Sequence, residues 1–171
     1  MGMFASGVTI VTVGLPEGEP HGMTANAVMS VSLEPPLIAV AIDNRAYTNT
    51  LVEQEGHFAV NILTDDQTEL ANRFAARDKR GSALFEGVAY ERSELGDPLL
   101  EGAIGQFACE VASGHVEGDH TVWIGRALAF THSSANGNPL VFYRGYFSST
   151  TCHLCIVRHD PVVAFQAMHD S

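Results

Sequence analysis

A Pro35-Pro36 pair is followed at once by six apolar residues, Leu37-Ile38-Ala39-Val40-Ala41-Ile42. The run has strand length, is flanked by breakers, and reads as a buried strand. The prolines end whatever precedes them, because neither can donate to a ladder. Before them lies Gly22 to Ser32, where small and hydroxyl residues alternate with apolar ones, an irregular strand. Small residues there let a flat ligand approach the backbone closely. Hydroxyls and unpaired backbone N–H groups can meet phosphate or carbonyl oxygens.

The remaining pattern is mostly strand. Ser6 to Val13 is rich in Val, Ile and Thr, and Gly14 to Gly22 reads as a hairpin loop. Phe58 to Leu63, Val88 to Arg92, Ile104 to Gly114, Thr121 to Phe130 and Leu140 to Tyr143 read as further strands. In Ile104 to Gly114 the alternation puts Phe107, Cys109 and Val111 on one face. Gly96-Asp97-Pro98, Gly118-Asp119-His120 and Asn136-Gly137-Asn138-Pro139 are turns, and Asp78-Lys79-Arg80-Gly81 is a charged loop. Two capping boxes, Thr50 to Glu53 and Thr64 to Gln67, predict short helices, the first ending near Gly56 and the second carrying Leu70 and Phe74 on its apolar face. Many short strands with two or three short helices point to a mainly β fold, an antiparallel barrel.

At 171 residues one folding unit is expected, and 46% apolar with 17% charged residues fits a globular chain. The formal net charge of −11 disfavours nucleic acid and anionic membrane as partners. It leaves room for an anionic cofactor in a cleft where arginines and N–H groups reverse the local field. No run reaches membrane-spanning length and no signal peptide is evident, so the cytoplasm is the expected compartment. Cys109 reads as a buried thiol, and Cys152 and Cys155 as two thiols in a C-terminal extension. His159 is the only close candidate for a further zinc ligand, so no metal site is expected.

Four motifs in order resemble the short-chain flavin reductases, the reductase components of two-component flavin monooxygenases. They are Phe4 to Thr12, Gly22 to Pro36, Gly118-Asp119-His120-Thr121-Val122-Trp123-Ile124-Gly125, and Pro139 to Gly145. The resemblance implies the FMN-binding split β-barrel, of Greek-key type, over residues 1–147, with residues 148–171 as an extension of unknown role. It implies hydride transfer from NADH or NADPH to FMN or FAD, a homodimer, and an oxygenase that receives the reduced flavin. Met23, Thr24, Asn26 and Ala27 are then placed near the flavin ring, with Asp43 and Asn44 on its rim. Ser30 and Ser32 are as well explained by phosphate contact as by plain strand alternation. Thr48 and Asn49 open a helix whose free N–H groups suit an anion, a role compatible with capping. The resemblance places Arg73 and Phe74 at the flavin tail, though periodicity alone makes Phe74 a core residue. His120 is expected on the nicotinamide side, as a hydrogen-bonding or proton-donating group, with Tyr143, Arg144, Gly145 and Tyr146 lining the same cleft.

Neither a Rossmann fingerprint, a Walker motif nor a nucleophile elbow is present. The competing reading is a split-barrel protein that holds flavin or haem without turnover. An oxidase of the pyridoxamine type would need a basic phosphate pocket that the sequence does not reveal.

Overall fold

The computed structural model describes residues 3–76, 80–133 and 137–150. Its twelve strands are β1 (Ser6–Gly7), β2 (Thr9–Gly14), β3 (Pro20–Ala25), β4 (Val28–Leu33), β5 (Pro36–Asp43), β6 (His57–Ile62), β7 (Tyr90–Arg92), β8 (Pro98–Leu100), β9 (Gly105–Glu117), β10 (His120–His132), β11 (Leu140–Tyr143) and β12 (Tyr146–Ser149). The helices among these residues are α1 (Tyr47–Glu55) and α2 (Thr68–Ala75), with 3₁₀ turns at Asp65–Gln67 and Gly81–Leu84.

Seven strands form one antiparallel sheet in the order β3-β2-β6-β9-β10-β5-β4. Its two edges, β3 and β4, are consecutive in the chain and part at Asn26-Ala27. The sheet therefore curls until its edges meet at one covalent link, and Ala41 N–H donates to Ala27 O at 3.0 Å beside that split. The expected single strand from Gly22 to Ser32 is thus two strands, belonging to opposite edges. Bulges in the β9–β10 ladder near Gly125 and Ala127 bend these long strands around the barrel. Gly125 is needed there, since a Cβ would lie 2.6 Å from the Phe58 ring.

Strand β2 is buried along its whole length. Val11 and Val13 face an inner core with Ile38, Val40, Ile42, Phe58, Cys109 and Trp123. Val8 and Ile10 face an outer core with Leu63, Phe74, Leu84, Leu100 and Leu140. Phe107, Cys109 and Val111 all pack against the inner core, matching their shared face. Leu70 and Phe74 of α2 pack into the outer core. Outside the barrel lie a three-stranded sheet, β1-β11-β12, and the β7-β8 hairpin. The β1–β2 run breaks at Val8, which bonds Leu140 and Leu63 and so changes sheets. Strand β12 follows the expected last strand because Arg144 and Gly145, both at positive φ, close a tight hairpin.

The Thr64 capping box is present, with Gln67 Oε1 accepting the Thr64 N–H at 3.1 Å. The Thr50 box is not. Helix α1 starts four residues earlier, after Ala46, because Ala46 N–H donates to Asp43 O and starts the turn directly from β5. Gly56, in the left-handed region, ends α1 as expected. Cys152, Cys155 and His159 lie outside the described residues, as do Asp78, Lys79 and Asn136.

At one barrel end His57 Nδ1 meets Asp97 Oδ1 at 2.8 Å, and Gly14 N–H donates to the same oxygen at 2.9 Å. Asp97 is fully buried and fastens the turn before β8 to β2 and β6. The bond to Asp97 raises the His57 pKa against the opposing effect of burial. A pKa raised on folding adds stability that is complete below the unfolded value, about 6.5, and fades as pH rises through the folded value. The stability gap between the native chain and His57→Gln should therefore shrink from pH 6 to pH 9 in urea titrations. A gap that is constant or widens would remove the protonated pair from the account.

Candidate functional site

A cleft of about 380 Å³ opens between β3, the β5–α1 corner and the end of α2. Its wall on β3 is His21, Gly22, Met23 and Thr24. The opposite wall is Asp43 and the first turn of α1, and Phe74 to Ala76 close the floor. Gly22 lies directly against Phe74, where a Cβ would stand 3.0 Å from the ring. Thr24 Oγ1 donates to Ala71 O at 2.6 Å and so ties β3 to α2.

Helix α1 enters the cleft N-terminus first. Ala46 provides no side-chain cap and no acid occupies the first turn. That end carries partial positive charge and free N–H groups, a setting for an anion. Two arginines stand beside it. Arg45 is committed: its backbone N–H, Nε and Nη2 all donate to the Asp43 carboxylate, at 2.8, 3.1 and 2.8 Å. These bonds hold the Asp43 carboxyl far below the usual carboxylate range. Arg80 instead lies over the Tyr47 ring, 5.3 Å from its centre, and no carboxylate among the described residues pairs with it. His21 packs edge-on against Tyr47 and accepts Gly81 N–H on Nδ1 at 3.1 Å, which anchors the residue after Arg80.

Of the residues expected at a flavin, Met23, Thr24, Asp43, Thr48 and Phe74 line this cleft. Phe74 is also 2% exposed, so it serves core and floor together. Asn26 donates to Ser6 Oγ at 3.2 Å, beside exposed Ala27 in the β3–β4 break. Ser30 and Ser32 lie on edge strand β4, away from the lining. Asn44 bonds the β9–β10 turn, and Asn49 Oδ1 accepts the Trp123 indole N–H at 2.8 Å. Arg73 turns away and donates to Glu86 O at 2.8 Å. His120 is paired with Asp43 across the β10–β5 ladder, next to the lining. Tyr143, Arg144, Gly145 and Tyr146 form the β11–β12 hairpin tip, outside the lining, with Arg144 over the Tyr143 ring.

Sequence reasoning missed His21, Arg45, Tyr47 and Arg80. A histidine inside an apolar strand start was a usable signal for the first. Arg80 was visible as part of a charged loop, but nothing local said which way that loop turns.

The open α1 N-terminus and Arg80 give this cleft on the flank of a curled β barrel a donor set suited to an anionic ligand. The flavin reductase like domain matches residues 1–151, and the chain belongs to that family. It is 43% identical over 157 residues to an NADH-dependent flavin reductase of Rhodococcus sp, covering 87% of this chain and 82% of the relative. It is 39% identical over 144 residues to the reductase component of 4-hydroxyphenylacetate 3-monooxygenase of Thermus thermophilus, covering 84% and 88%. The crystal structure of nitrilotriacetate monooxygenase component B from Mycobacterium thermoresistibile superposes with a TM-score of 0.85 at 30% identity, covering 93% and 87%.

Burial, with the nearby Arg80 charge, lowers the His21 pKa to about 4, against a smaller opposing pull from Glu19. The unfolded chain then takes up a proton that the folded chain refuses. Stability should fall as pH drops from about 6.5 toward 4. His21→Asn keeps an acceptor near Gly81 but removes the titration. Its melting temperature should lose less over that window than the native chain's, and an equal loss would rule out His21 as a source.

Proposed function

We propose that this cleft is the flavin site of an NADH-dependent flavin reductase that supplies reduced flavin to an oxygenase component. The observation that carries the placement is the convergence of the open α1 N-terminus and Arg80 on one end of a cleft floored by Phe74. The donor set suits a flavin. The α1 N–H groups and Arg80 match its phosphate. The β3 backbone at Gly22 to Thr24 can lie close to a flat ring.

A bound flavin supplies the hydride-accepting ring. The chain's residues bind and orient. Arg80 and the α1 terminus hold the phosphate, Phe74 and Met23 pack the apolar body, and Asp43 keeps Arg45 at the rim. His120, one ladder position from the cleft wall, lies where the dinucleotide enters and holds the nicotinamide side. Tyr143 to Tyr146 supply exposed aromatic and basic groups for the rest of it. Orientation of donor and acceptor is the main rate contribution, since hydride transfer itself needs no protein acid. FMN and FAD share the phosphate that this site reads, and both are substrates in this reading.

The dimer belongs to the same reading. Strand β4 is a sheet edge whose Met29, Val31 and Leu33 are 63%, 47% and 56% exposed. Exposed apolar side chains on an unpaired edge are a surface that a second copy covers. Val31→Lys should shift the chain from dimer to monomer in sedimentation at micromolar concentration. A native chain already monomeric there would end this assignment.

The flavin placement has its own test. Arg80→Ala should weaken FMN and FAD by about ten- to a hundredfold, the loss of one charge-assisted bond, while riboflavin changes little. Arg73→Ala should not discriminate among the three. Equal weakening by Arg80→Ala would assign Arg80 to packing. NADH oxidation with riboflavin, FMN and FAD in turn reads the activity. Flavin binding without oxidation would favour the holding protein over the reductase.

A further inference from the structure

The β9–β10 turn carries a contact that the flavin cleft does not use. His120 Nδ1 lies 2.7 Å from Asp119 Oδ1. The two side chains are 42% and 82% exposed, so the bond adds little to stability. Such a bond can nevertheless decide which ring nitrogen keeps the proton.

Asn44, just after β5, braces the turn. Asn44 N–H donates to Asp119 O at 2.9 Å, and Asn44 Nδ2 reaches Gly118 O at 3.4 Å. Thr121 Oγ1 donates to Asn44 Oδ1 at 2.7 Å. The Asn44 side chain is therefore spent on the turn, and it fixes the backbone from which both Asp119 and His120 project. Across the ladder His120 faces Asp43, but that carboxylate is closed on Arg45. Asp119 is the carboxylate in contact with the imidazole.

We propose that Asp119 is a positioning residue for NADH: it takes the Nδ1–H of His120 and leaves Nε2 as the nitrogen offered to the nicotinamide carboxamide. The proposal rests on the reading that His120 stands on the nicotinamide side. A neutral ring held this way presents an acceptor, which matches the carboxamide NH2 donor. A ring released from Asp119 can take the other tautomer and set one N–H against another.

The test compares His120→Ala, Asp119→Ala, Asp119→Asn and the double alanine variant, all with added flavin. Long-range ¹H–¹⁵N spectra of the imidazoles, with the His120 signal identified by its absence from His120→Ala, should show the Nδ1–H form in the native chain. Asp119→Asn keeps an acceptor oxygen and should keep that form, whereas Asp119→Ala should lose it. Asp119→Ala should raise the KM for NADH about tenfold, one hydrogen bond's worth, with flavin affinity and melting temperature unchanged. The double variant should be no worse than His120→Ala. An unchanged tautomer and KM in Asp119→Ala, with a raised KM in His120→Ala, overturns this proposal alone. An unchanged KM in His120→Ala overturns it together with the reading of His120.

Discussion

Everything in this molecule depends on β2 being buried on both faces. A strand of six residues cannot close a barrel and support an outer layer unless its side chains serve two cores in alternation. Here odd positions fill the barrel and even positions carry α2, the β7-β8 hairpin and β11. The cleft is a by-product of that division. It lies where β3, the neighbour of β2, passes between the inner layer of α1 and the outer layer of α2. Among the described residues, the buried amide of Asn61 binds the layers together. It donates to Ile10 O and Thr12 Oγ1 and accepts Leu100 N–H at 2.8 Å. A polar group so buried is tolerated because each of its atoms is satisfied.

Sequence pattern revealed the strands well because their flanking turns are chemically explicit. The cis Glu34-Pro35 corner, the Gly96-Asp97 turn and the β9–β10 turn all fall where breakers stand. It failed where one chain segment changes its pairing partners, to another sheet at Val8 and to the opposite edge of the same sheet at Asn26-Ala27. Val8 and the Asn26-Ala27 link look like strand interior, and only tertiary pairing separates them. The Thr50 box shows another limit, since a turn launched by Asp43 started the helix before a good local cap was reached. For the site, strand β3 and the α1 entry were legible through resemblance and composition. Arg73 and Arg80 were not separable, because both are exposed basic residues near one helix end, and only the direction of the guanidinium tells them apart.

The electrostatics reconcile an acidic chain with an anionic ligand. The net charge of −11 belongs to the surface as a whole. Within the cleft, the α1 terminus and Arg80 concentrate positive potential, while the Asp43–Arg45 pair cancels itself at the rim. A broadly negative exterior also discourages nonspecific retention of anionic nucleotides. At the proposed site, binding is then favoured by donors that are already oriented.

Cys109 is completely buried behind Phe58 and Gly125, and burial pushes its thiol up to about 12. Reduced flavin released into aerated solution yields peroxide, so a protein of this activity works beside an oxidant of its own making. Peroxide attacks thiolates, and a thiol held this far from ionisation, with no path to solvent, is a poor target. The inner core therefore carries a sulfur atom through repeated catalytic cycles without becoming the weak point of the barrel.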